Sequence, residues 1–165
     1  MNFAHLHLII NHIPLIGIPV ALLFLAHGLW TKNASTQKFS LLVLFGLAAM
    51  VLPVYLTGEP AEEVVEHLPG VAESFIESHE DVAKFSLILT LATGALAFIA
   101  LWFQKNESRR RMLNFGVMGI ATLALLSLAY TANLGGKIRH TELRSGGAAQ
   151  ADGAPAAEGK GGDDD

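Results

Sequence analysis

The sequence predicts an all-α integral membrane protein, a four-helix up-and-down bundle with a short amphipathic outer helix between helices two and three. Two observations carry this. The 165-residue chain is 52% hydrophobic and only 16% charged, whereas a soluble domain is nearer a quarter charged. Asp, Glu, Lys and Arg are also absent from four stretches, Met1 to Thr31, Phe39 to Gly58, Phe85 to Gln104 and Met112 to Gly136. Each is about 20 residues or longer, enough to cross roughly 30 Å of hydrocarbon.

The first span runs from about Leu6 to Trp30. It has no Lys or Arg ahead of its apolar core and no small-x-small cleavage pattern, so a permanent helix is expected instead of a secretion signal. Pro14 and Pro19 are expected to bend it. The second span covers about Phe39 to Leu56, with Pro53 near its end. The third begins near Ser74 and ends around Phe103, and the fourth covers about Leu113 to Leu134. Small residues recur at helical spacing in Ser86, Thr90, Thr93 and Ala97, and in Gly116 and Gly119, a pattern that lets helices approach closely in lipid. Gly135-Gly136 reads as a helix stop.

Between spans two and three, Pro60 to Leu68 places Val64, Val65 and Leu68 on one side and Glu62, Glu63 and Glu66 on the other, an amphipathic lid resting on the membrane surface. Pro69-Gly70 breaks it. Residues 1–144 form the membrane domain. Residues 145–165, rich in Gly, Ala and acid, have nothing to bury and are expected to be disordered.

Lys32 and Lys38 flank the first connection, and Lys105, Arg109, Arg110 and Arg111 fill the third, which places both in the cytoplasm. The second connection carries eight acids against Lys84 alone and belongs outside. Both chain ends then lie on the periplasmic side of a bacterial inner membrane, although Lys137, Arg139 and Arg144 pull the other way. A net charge of −4 with no basic surface argues against nucleic acid as a partner. With no cysteine, disulfides, iron–sulfur clusters, Cys-based zinc sites and covalent c-type haem attachment are excluded.

That topology brings six of the seven histidines to the outer end, and inward ionisable groups in a membrane mark candidate sites. His12 and His79 are the leading pair, because helices one and three lie on a diagonal and residues near their outer ends can face each other. His79 shares a face with Phe75, Val82, Ser86 and Thr93, and His12 shares one with His5. Two imidazoles across such a gap suit b-type haem. His5, His7 and His27 are expected to make only interfacial hydrogen bonds. A competing use is copper or zinc binding through His12, His79, Glu63 and His67, the last two being four residues apart. No H-E-x-x-H motif, nucleophile arrangement or phosphate-binding glycine loop is present.

His12-Ile13-Pro14, Thr57-Gly58, His79 and the run Gly135-Gly136-Lys137-Ile138-Arg139-His140 resemble the bacterial transmembrane family catalogued as domain of unknown function 2231. The likeness covers about Met1 to Leu143. Members more often read His-Phe-Pro where this chain has Ile13. The resemblance implies four membrane helices and polar positions near the outer face, and it singles out His12, Thr57, Gly58, His79, Gly135, Gly136 and His140. It implies no activity, although similarity of some relatives to cytochrome-type modules favours a redox role.

The functional expectation is a small cytochrome-like electron-transfer subunit holding haem b between His12 and His79. Thr57 would bond a propionate, Gly58 would admit the ring edge, and His140 or His67 would serve as a replacement axial ligand. The alternatives are a non-catalytic accessory or scaffold subunit and a metal-handling protein at the periplasmic face. Partners would be membrane lipid and a redox protein or larger membrane complex.

Overall fold

A computed structural model describes residues 2–140 and Arg144. These residues form α1 (Phe3–Ile10), α2 (His12–Trp30), α3 (Ala34–Leu56), α4 (Gly58–Val65), α5 (Glu73–Trp102) and α6 (Glu107–Arg139). Four continuous stretches, Phe3–Trp30, Ala34–Val65, Glu73–Trp102 and Glu107–Arg139, are long and apolar enough to cross a membrane. The predicted disorder of residues 145–165 lies outside the described residues.

Asparagine starts three of the helices. The side chains of Asn2, Asn33 and Asn106 accept from the backbone N–H of His5, Thr36 and Arg109 at 2.9, 3.1 and 3.0 Å, satisfying donors that the first turn leaves free. Helix α6 carries Glu107 in its first turn and Lys137 and Arg139 in its last, the arrangement that complements the helix dipole. Arg144 donates to Lys137 O and Ile138 O at 2.8 and 2.9 Å and lies 4.5 Å from the Phe75 ring centroid, fastening the end of α6 to α5.

The four long helices pack as an up-and-down bundle. Helices α2 and α5 each contact α3 and α6, which leaves α2 opposite α5 across the core. Ile18, Leu25, Leu41, Leu44 and Val117 interlock there with Ala97, Ala100 and Ala121. Since lipid is as apolar as these side chains, close packing holds the helices together more than hydrophobic exclusion does. Gly94 shows how close: a Cβ placed on it would stand 2.4 Å from the Ala48 Cβ on α3. The outward faces stay apolar, with Leu23 71% and Leu126 62% exposed. Trp30 and Trp102, 85% and 80% exposed, mark one end of the bundle, and Tyr55 and Tyr130 mark the other, as aromatic belts do at membrane interfaces.

Several boundaries differ from the sequence reading, α3 and α6 starting five and six residues earlier, at Ala34 and Glu107. The first span is two helices that break at Asn11, because Pro14, buried in the first turn of α2, has no N–H to donate to Ile10 O. The short helix starts at Gly58 and ends at Val65. Gly135 and Gly136 do not stop α6, which continues to Arg139. A ring packed against Gly135, described below, accounts for the glycine inside the helix.

A buried polar knot joins three helices at the tryptophan end. Gln37 Nε2 donates to Gly28 O at 2.7 Å, and Asn114 Nδ2 donates to Gln37 Oε1 at 2.8 Å. The first bond fixes the Gln37 amide orientation, and that in turn fixes Asn114. Asn114 Oδ1 is left buried without a hydrogen-bond partner.

Candidate functional site: an imidazole pair at the tyrosine end

His79, in the second turn of α5, is part-buried against α6. Its Nδ1 lies 2.9 Å from Thr131 O. A carbonyl only accepts, so Nδ1 carries a proton, and in the neutral ring Nε2 is then a bare lone pair. The ring reaches that carbonyl because the residue one turn on is glycine. A Cβ on Gly135 would stand 3.1 Å from His79 Cε1 and 3.2 Å from Nδ1.

His7, on α1, mirrors this arrangement. Its Nδ1 lies 3.0 Å from Thr57 Oγ1. The single hydroxyl proton of Thr57 is claimed by the carbonyls of Val54 and Pro53, 2.8 and 3.0 Å away, so toward His7 the oxygen accepts. With Thr57 donating to its own helix, a neutral His7 would hold Nδ1–H and present a bare Nε2. Gly58 leaves space beside this ring, as a Cβ there would be 4.0 Å from His7 Cε1. His7 and His79 lie within electrostatic range of each other.

The remaining candidates fall elsewhere. His12 is exposed, with Nδ1 turned back 2.6 Å from Leu8 O on its own helical face; the imidazole within electrostatic range of His79 is His7. The reason is helical spacing: His7 lies seven residues before Pro14 on the face that Ile18, Ala21 and Leu25 continue inward, whereas His12, five positions from His7, points about 140° away from it. His5 is exposed, and exposed His27 borders a lipid-facing groove with Val20, Leu23 and Phe24. His140 is exposed at the end of α6, its backbone N–H bonded to Gly136 O at 3.0 Å. Thr57 and Gly58 do adjoin an imidazole, that of His7.

Glu63 and His67 do not share a helix face, because α4 ends at Val65. His67 Nε2 instead lies 3.3 Å from Glu66 Oε1 at the surface. A cleft of about 240 Å³ is lined by Glu62, Glu66, His67, Glu73 and Ile76. Among the described residues, no three His, Cys, Asp or Glu side chains gather closely enough to hold a metal ion.

Beneath His79 lies a hydroxyl cluster. Ser86 Oγ is 2.6 Å from Ser127 Oγ and 2.8 Å from Thr131 Oγ1, and Thr131 Oγ1 donates to Ser127 O at 2.9 Å. Sequence reading found Ser86 from its small-residue face. His7 and Thr131 were missed, and the missed signal for His7 is its place seven residues ahead of Pro14, on the face that Ile18, Ala21 and Leu25 continue.

Fold and site together define a polytopic helical membrane protein with two half-buried imidazoles, each held through Nδ1, at one end of the bundle. No family model, no curated protein and no solved structure matches the chain.

Proposed function

We propose that this chain is a small electron-transfer subunit of a bacterial inner membrane, holding b-type haem at the periplasmic face through His7 and His79. One observation carries the reading: both Nδ1 atoms are engaged by oxygen, which in the neutral rings leaves two Nε2 lone pairs at the same end of the bundle. Ligating histidines are commonly oriented by just such a second hydrogen bond. Haem bound there would supply a one-electron centre, and the chain would contribute ligand orientation, with Lys137 and Arg139 as cations for the propionates. Relative to the sequence expectation, His7 takes the place of His12. The orientation rests on Lys and Arg concentrated in the two connections at the tryptophan end. Membership of the domain of unknown function 2231 family belongs to the same proposal and rests on the motifs quoted above.

Absorption spectra of protein purified in mild detergent, with haem supplied, test it. The expected result is a Soret band that is lost in His7→Ala and His79→Ala and kept in His12→Ala. A colourless wild-type preparation removes the reading.

A second reading, an accessory subunit without a cofactor, is favoured by a different consequence of the same bonds. His7 ties α1 to the end of α3, and His79 ties α5 to α6. In that case both alanine variants lower the melting temperature, no pigment copurifies, and partner binding persists.

A further inference from the structure

The hydroxyl cluster below His79 admits only one assignment of its protons. Thr131 donates to Ser127 O, so its own oxygen must accept from Ser86. Ser86 has then spent its proton, and Ser127 must donate to Ser86 Oγ. Each hydroxyl has one proton to give, and each is assigned.

The cluster is placed to act on the imidazole. Ser86 lies seven residues beyond His79, two turns along the same face of α5, and it is 1% exposed. Its partner Thr131 carries the carbonyl that accepts His79 Nδ1–H. That carbonyl is also the helical acceptor for the N–H of residue 135, the position where glycine leaves room for the ring. Ser86 therefore locks α6 against α5 at the one residue whose backbone orients the histidine.

We propose that Ser86 is a positioning residue for His79. Acting through Thr131, it keeps the ring in the Nδ1–H tautomer with Nε2 bare. The use of that bare nitrogen as a ligand rests on the reading above, whereas the tautomer control does not require it.

The test is nitrogen NMR of protein labelled at histidine, in mild detergent and without haem, with His79 assigned by comparison with His79→Gln. Wild type should show His79 as Nδ1–H. Ser86→Ala and the near-isosteric Thr131→Val should shift the tautomer ratio about fivefold toward Nε2–H, the scale of one lost hydrogen bond. Thr131→Ser, which keeps the hydroxyl, should restore the wild-type signal. Folded Ser86→Ala and Thr131→Val proteins with unchanged His79 signals would overturn the proposal, as would an Nε2–H ring in wild type. Because no haem is present, failure here is separate from failure of the Soret assay.

Discussion

Gly135 and His79 are in contact: a Cβ on the glycine would meet the imidazole at 3.1 Å. Glycine inside a helix ordinarily costs up to about 1 kcal/mol relative to alanine, so at an open position Gly→Ala should stabilise. At residue 135 the sign should reverse. The ring must withdraw from Thr131 O, and a net loss of about 1–2 kcal/mol is expected, read from thermal unfolding in detergent. A gain in stability would show that the ring does not rest on this backbone.

Gly94→Ala should also destabilise, by about 1–3 kcal/mol, through overpacking against α3. Its Cβ would fall 2.4 Å from Ala48 Cβ, with the backbones on both sides already close. Gly46→Ala and Gly119→Ala make matched controls, since a Cβ at either meets nothing within 4 Å. Both should be neutral or gain up to about 1 kcal/mol. Equal behaviour of all three would contradict the packing.

The Gln37–Asn114 bond is expected to be strongly non-additive. Gln37→Leu strands the buried Asn114 amide, and Asn114→Leu strands Gln37 Oε1. Each should cost about 1–3 kcal/mol as an unsatisfied buried group. The double variant should cost less than the sum, with a coupling of at least about 0.5 kcal/mol in a double-mutant cycle. Strict additivity would mean the two amides do not meet.

Glu62 of α4 comes within hydrogen-bonding reach of Glu80 on α5 and also faces Glu59 and Glu66. Like charges this close oppose one another most when all are ionised. Glu62→Gln should therefore raise stability at about pH 8 by a few tenths of a kcal/mol, the scale left after solvent screening. The gain should vanish as the pH falls to about 4 and the carboxylates take up protons. Melting temperatures across pH would show it, and a gain independent of pH would assign the effect to something other than charge.

The spans were legible because charge-free stretches of this length have few other uses, and the inward face of α5 was legible from Ser86, Thr90, Thr93 and Ala97, all buried. His79 came with that face. His7 did not, because pairing His12 with His5 follows an exposed face, whereas the buried face of Pro14, Ile18, Ala21 and Leu25 leads back by seven residues to His7. The glycines at 135 and 136 misled for a related reason. Locally they read as a terminus, and only a contact with α5, 56 residues earlier at His79, explains one of them inside a helix. The Gln37–Asn114 bond, between residues separated by 77 positions, is likewise beyond any local pattern.

The hydroxyls of Thr90 and Thr93 are turned onto carbonyls of their own helix. Between them and the Gln37–Asn114 knot stands a layer of Ile18, Leu25, Leu41, Leu44 and Val117, each at most 1% exposed. No chain of polar side chains spans the bundle among the described residues, so under the proposed function a proton taken up at the imidazoles has no side-chain relay to the far end. On that reading, proton exchange at the imidazoles begins and ends on the tyrosine side of the bundle.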